Sequence, residues 1–85
     1  MDYEYIEKEI ISYLGAEEDL KVDDFVYHPD DKNSIAFLVK RANELRARYR
    51  ELMKDEENNK IEMEDIVIRA EMLLSGLVLF EFVEA

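Results

Sequence analysis

The side chains with the most chemistry in them are carboxylates, and two groups of them stand where something could be held. The first surrounds the sole histidine: His28 lies between Asp23-Asp24 and Asp30-Asp31. An imidazole flanked by carboxylates is raw material for a metal site or for a general base oriented by a carboxylate. With one histidine and no cysteine, the ligand set of a zinc site is missing, and the pattern reads as a solvated loop histidine. Ser12, Ser34 and Ser75 have no histidine near them in sequence, threonine is absent and no glycine-rich phosphate cradle occurs. No combination of nucleophile, base and oxyanion donor is written along the chain. The expectation is a protein that is not an enzyme and needs neither cofactor nor metal.

The second group is residues 54–65, KDEENNKIEMED, an oxygen-rich stretch between two helix-like patterns. It resembles the calcium loop of the EF-hand family when Ile61 takes the apolar eighth position. Ligand positions one, three, five, nine and twelve then fall on Lys54, Glu56, Asn58, Glu62 and Asp65. That loop wants an anionic ligand first, glycine sixth and a bidentate glutamate twelfth. Here those positions carry Lys54, Asn59 and Asp65, and an ammonium in the first position repels the ion. The reading preferred to a degenerate calcium-binding module is a helix-helix turn in which Asn58-Asn59 reverse the chain and an asparagine caps the next helix.

Charge is the strongest global signal: 22 acidic against 11 basic side chains give a net charge of -11. Such a field repels phosphate, so direct binding of nucleic acid or of an anionic membrane is not expected, whereas a basic partner is favoured. The charge is also unevenly spread. Residues 1–33 hold 11 acids and 3 bases (net -8), residues 34–53 hold 2 and 5 (net +3), and residues 54–85 hold 9 and 3 (net -6). A basic helix is thus expected between acidic flanks. Lys40, Arg41, Arg46, Arg48 and Arg50 can pair with neighbouring acids, leaving an exterior that only keeps the protein in solution. Alternatively, Glu17, Glu18, Asp19, Asp23, Asp24, Asp30, Asp31, Glu56 and Glu57 present rows of negative charge to a partner.

The elements that position these residues follow from periodicity in a single domain, residues 1–85, whose size lies near the limit at which one core offsets chain entropy. Tyr3, Ile6, Ile10 and Tyr13 recur at helical spacing, with Asp2 as a cap and Gly15 as a stop, predicting a helix over 3–14. Residues 16–33 are too long for a structureless connection; LKVDDFVY reads as a strand or a helical turn closed by His28-Pro29. Ile35, Leu38, Ala42, Leu45, Tyr49 and Leu52 predict a helix over 34–54. Met63, Ile66, Ala70, Leu73, Leu77 and Phe80 predict another over 60–82, running through Gly76. The expected fold is mainly α, three helices with a long antiparallel hairpin, the alternative being α+β with short strands near 20–27 and 77–83.

The last segment is apolar nearly all round, which suggests a homodimer through Leu73, Leu77, Phe80 and Phe82 and, as a second function, an assembly subunit. The N-terminus lacks the basic start and apolar core of a signal peptide, and no apolar run approaches the ~20 residues that cross a bilayer. A cytoplasmic protein with no membrane partner is expected. As a small, cysteine-free, strongly acidic helical chain it resembles the host-takeover and DNA-mimic proteins of bacteriophages, a likeness of the whole chain carried by no motif. The resemblance implies an inhibitor that occupies the surface of a basic host protein that binds DNA or RNA.

Overall fold

In the computed structural model, which describes residues 3–81 (of residues 3, 5, 6 and 78–81 the backbone only), three helices account for most of the chain. Helix α1 is Tyr3–Leu14, α2 is Lys32–Met53 and α3 is Glu56–Glu81; two 3-10 turns, Val22–Asp24 and Pro29–Asp31, lie between α1 and α2. No strand occurs among the described residues, which removes the α+β alternative over 20–27 and 77–81; residues 82–83 lie outside them. Helix α3 continues through Gly76, as the unbroken heptad register predicts.

The hairpin is antiparallel. Arg48 of α2 reaches Glu62 of α3 at 3.0 Å, and a Cβ built on Gly76 would meet Leu38 at 3.6 Å. Its turn is shorter and earlier than expected: Lys54 and Asp55 alone reverse the chain, and Asn58 and Asn59 are already helical. The reason is local hydrogen bonding. Asn59 Nδ2 donates to the Leu52 carbonyl, 3.1 Å away at the end of α2, and Asn58 Nδ2 donates to the Asp55 carboxylate at 3.0 Å. Asn59 therefore serves a loose backbone carbonyl at the end of α2 from inside the next helix, and Asn58 ties down the side chain of the turn residue Asp55. A calcium loop must wrap its ion, and a helix over 56–65 spreads those carboxylates around a cylinder. Among the described residues no group of three or more His, Cys, Asp or Glu is gathered for a metal.

Ile10, Tyr13 and Leu14 from α1, Ile35, Val39, Ala42 and Leu52 from α2, and Met63, Ile66, Ala70, Leu74 and Leu77 from α3 form the core. Val39 and Leu74 lie off the heptad stripes. Each helix packs against two others, so the buried arc is wider than the seam of a two-helix pair. Leu77 is fully buried and Leu73 half-buried; Leu77 is a core residue of the single chain and offers no surface to a second copy. The Phe80 side chain and Phe82 lie outside what is described. Among the described residues no helix is long and apolar enough to cross a membrane.

Candidate interaction surface

The segment joining α1 to α2 carries seven of the nine candidate carboxylates, and α2 fixes its path. Asn43 is the central clamp. Its Oδ1 accepts from the Leu20 amide at 2.9 Å and from the Tyr13 hydroxyl, and its Nδ2 donates to the Leu20 carbonyl at 3.0 Å. One amide side chain thus gives the backbone at Leu20 both a donor and an acceptor. One turn further on, Arg46 donates to the Ala16 carbonyl at 2.8 Å and to the Asp19 carboxylate, and Arg50 donates to the same carbonyl. Asn43, Arg46 and Arg50 stand at i, i+3 and i+7, a single face of α2 beside the core stripe.

Toward the start of α2 the chain is tied by its own turns. The Asp24 carboxylate accepts from the Lys21 amide at 3.0 Å, closing the first 3-10 turn, and the Asp31 amide donates to the His28 carbonyl at 2.9 Å in the second. His28 is extended, as the residue before a proline must be, so Pro29 opens an element where the sequence reading had it closing one. Leu20, Val22, Phe25 and Tyr27 pack their apolar sides onto the core. The acids between them are left outward: Glu17, Glu18, Asp19, Asp23, Asp24 and Asp30 are exposed and Asp31 is half-exposed.

Burial pushes the Tyr13 hydroxyl up to about 12, against the opposing pull of the Arg46 guanidinium, so it remains a neutral donor to Asn43. The Arg46 side chain is only 11% exposed, and its Nε is buried without a hydrogen-bond partner among the described residues.

Helix α2 consumes most of its own positive charge, its four arginines being engaged within the fold. Arg41 pairs with Glu44 at 2.9 Å, Arg48 with Glu62 and Arg46 with Asp19, while Arg50 is engaged by a carbonyl. Of the nine candidate carboxylates, Asp19 is the one in an ion pair among the described residues. Glu56 and Glu57 are not part of the same row. They occupy the first turn of α3, and Glu56 lines a cleft with Tyr49, Lys60, Met63, Glu64 and Val67. Their negative charge, and that of Asp30 and Asp31 ahead of α2, also favours the helix N-termini they occupy.

Sequence reasoning missed Asn43; the expected pairing of Arg46 with a loop acid is present at Asp19, but Arg46 also grips the Ala16 carbonyl, and Arg50 bonds that carbonyl instead of an acid. The signal was present in their shared face, polar residues at helical spacing next to an apolar stripe. Comparison with protein-family models, with curated proteins and with solved structures returns no match to this chain.

Proposed function

We propose that the chain acts by stoichiometric binding, its acidic segment 17–31 occupying a basic surface of a partner protein where that partner otherwise holds nucleic-acid phosphates. The observation that carries this reading is the asymmetry of pairing. The cations of α2 are largely engaged within the fold, whereas six of the seven acids strapped along it have no cationic partner among the described residues. Spacing supports it. From Arg46 back to Lys32, α2 rises about 21 Å at ~1.5 Å per residue, so Glu17, Glu18, Asp23, Asp24, Asp30 and Asp31 average one carboxylate per ~3.5 Å. One strand of duplex DNA offers a phosphate per ~3.4 Å of axis. Lys21 and Lys32 lie in the same stretch and reduce its net charge. A partner shaped for phosphate would meet a comparable density of charge here, the mode that the bacteriophage DNA-mimic likeness implies.

The test is capture from a bacterial lysate on the immobilised chain at ~0.1 M and ~0.5 M salt, since added salt screens exposed charge. Captured proteins are then assayed for nucleic-acid binding with and without the chain. Capture that fades with salt, competition with nucleic acid, and loss of both in Glu17→Gln/Glu18→Gln/Asp23→Asn/Asp24→Asn support the reading. Undiminished capture and inhibition by that variant would end it.

A further inference from the structure

Helix α3 is apolar on two sides, and the fold covers one of them. Met63, Ile66, Ala70, Leu74 and Leu77 face the core. At 3.6 residues per turn, Ile61, Ile68 and Met72 fall on the opposite side, and they are 85%, 58% and 75% exposed. Large apolar side chains repeating by heptad on an outer face form a seam that a second helix can close.

The charges beside the seam are arranged as well. Along one flank Glu57, Glu64 and Glu71 recur every seven residues; all three are exposed, and none has a cationic partner among the described residues. Asp65 stands within the seam between Ile61 and Ile68, and its carboxylate is paired at 3.0 Å with Arg69 on the other flank. Past Glu71, between α1 and α3, lies a cleft of 230 Å³ walled by Ile10, Ile11 and Val67 together with Glu7 and Glu71. Apolar walls beside two carboxylates that have no cationic partner among the described residues suit one long cationic side chain, its stem along the hydrocarbon and its head at the acids.

Charge decides the occupant. A second copy laid antiparallel would set the Glu57, Glu64 and Glu71 row against itself, and one laid parallel in register would set Asp65 against Asp65 within the seam; like charges so placed oppose association. A helix with an apolar stripe and a lysine or arginine flank meets neither obstacle. The geometry points to the outer face of α3, with the Glu7–Glu71 cleft, as a docking site for a basic amphipathic helix of a partner protein that inserts one lysine or arginine into the cleft. This surface is separate from the acidic segment along α2 and does not depend on it.

The probe is a synthetic peptide of about three heptads with leucine in the seam positions and lysine on the flanks, beside an identical peptide carrying glutamate flanks. Each is titrated by fluorescence anisotropy into the full chain. The lysine peptide binds and the glutamate peptide does not. Ile61→Ser/Ile68→Ser/Met72→Ser, confined to exposed positions and checked for an unchanged helical spectrum, weakens binding by about tenfold or more. Glu7→Gln/Glu71→Gln weakens it about threefold or more, and Glu17→Gln/Glu18→Gln/Asp23→Asn/Asp24→Asn leaves it unchanged. Equal binding by the serine variant, equal binding of the two peptides, or weakening by the 17–24 variant alone would overturn the proposal. So would sedimentation showing a dimer of the chain that the serine variant dissolves.

Discussion

Replacing Asn43 with alanine removes the clamp on the acidic segment without altering any charge. Three hydrogen bonds go: from the Leu20 amide, to the Leu20 carbonyl and from the Tyr13 hydroxyl. Each is worth ~1 kcal/mol net. The half-buried Leu20 backbone recovers some of that by meeting water once the segment lifts, whereas Tyr13, 7% exposed, is left with a donor that water reaches poorly. The expected destabilisation is ~2–3 kcal/mol, a large share of the ~4–13 kcal/mol typical of a domain this size. With a urea slope of ~1 kcal/mol per molar for a small protein, the unfolding midpoint falls by about 2 M. The loss should also be local before it is global. The Leu20 amide should exchange its proton far faster in Asn43→Ala, while amides in the middle of α2 keep protection that tracks global stability. A midpoint shift below about 0.5 M together with a still-protected Leu20 amide would refute the clamp.

Gly76→Ala should stabilise the fold by ~0.5–1 kcal/mol, because the added methyl meets Leu38 at an ordinary contact distance of 3.6 Å; a lower urea midpoint would contradict this. Leu77→Asp places a carboxylate in the core and should unfold the single chain, read by circular dichroism; a folded variant altered only in its state of association would restore Leu77 to a subunit interface. Tyr13 holds its proton more tightly folded than unfolded, so the stability it contributes is complete below pH ~10 and disappears as pH rises through about 12. At ~1.4 kcal/mol per tenfold change in proton affinity, and with some screening by water, the loss is about 2 kcal/mol, and Tyr13→Phe should flatten that part of the alkaline stability curve.

The three helices were legible because each repeats apolar residues over several turns, and periodicity is a local property of the chain. Gly76 did not interrupt the reading, since the register on both sides of it is the same. The α2–α3 turn was misplaced because Asn58 and Asn59 have strong turn preferences. Their side chains satisfy them by bonding Asp55 and Leu52 from within the helix. Segment 15–31 was harder for a different reason. LKVDDFVY has strand-forming residues, yet its backbone at Leu20 pairs with a side chain 23 residues away, a partner no local pattern encodes. The outward acids were visible in composition; which of them the fold would neutralise depended on where Arg46 and Arg48 reach, and that is tertiary. The outer seam of α3 was sensed as apolar excess, but its separation from the core needed the helix seated against α1 and α2.

The account rests on the carboxylates being held in a fixed order along α2. Its most direct test compares wild type and Asn43→Ala, both carrying -11, for affinity toward whichever partner protein the proposed lysate capture yields, at one ionic strength and at a temperature where both chains are folded. The predicted result is a loss of about tenfold or more in the variant, since the charge is the same and only its arrangement is loosened. Equal affinity would contradict the account, leaving total charge as the sole basis of binding.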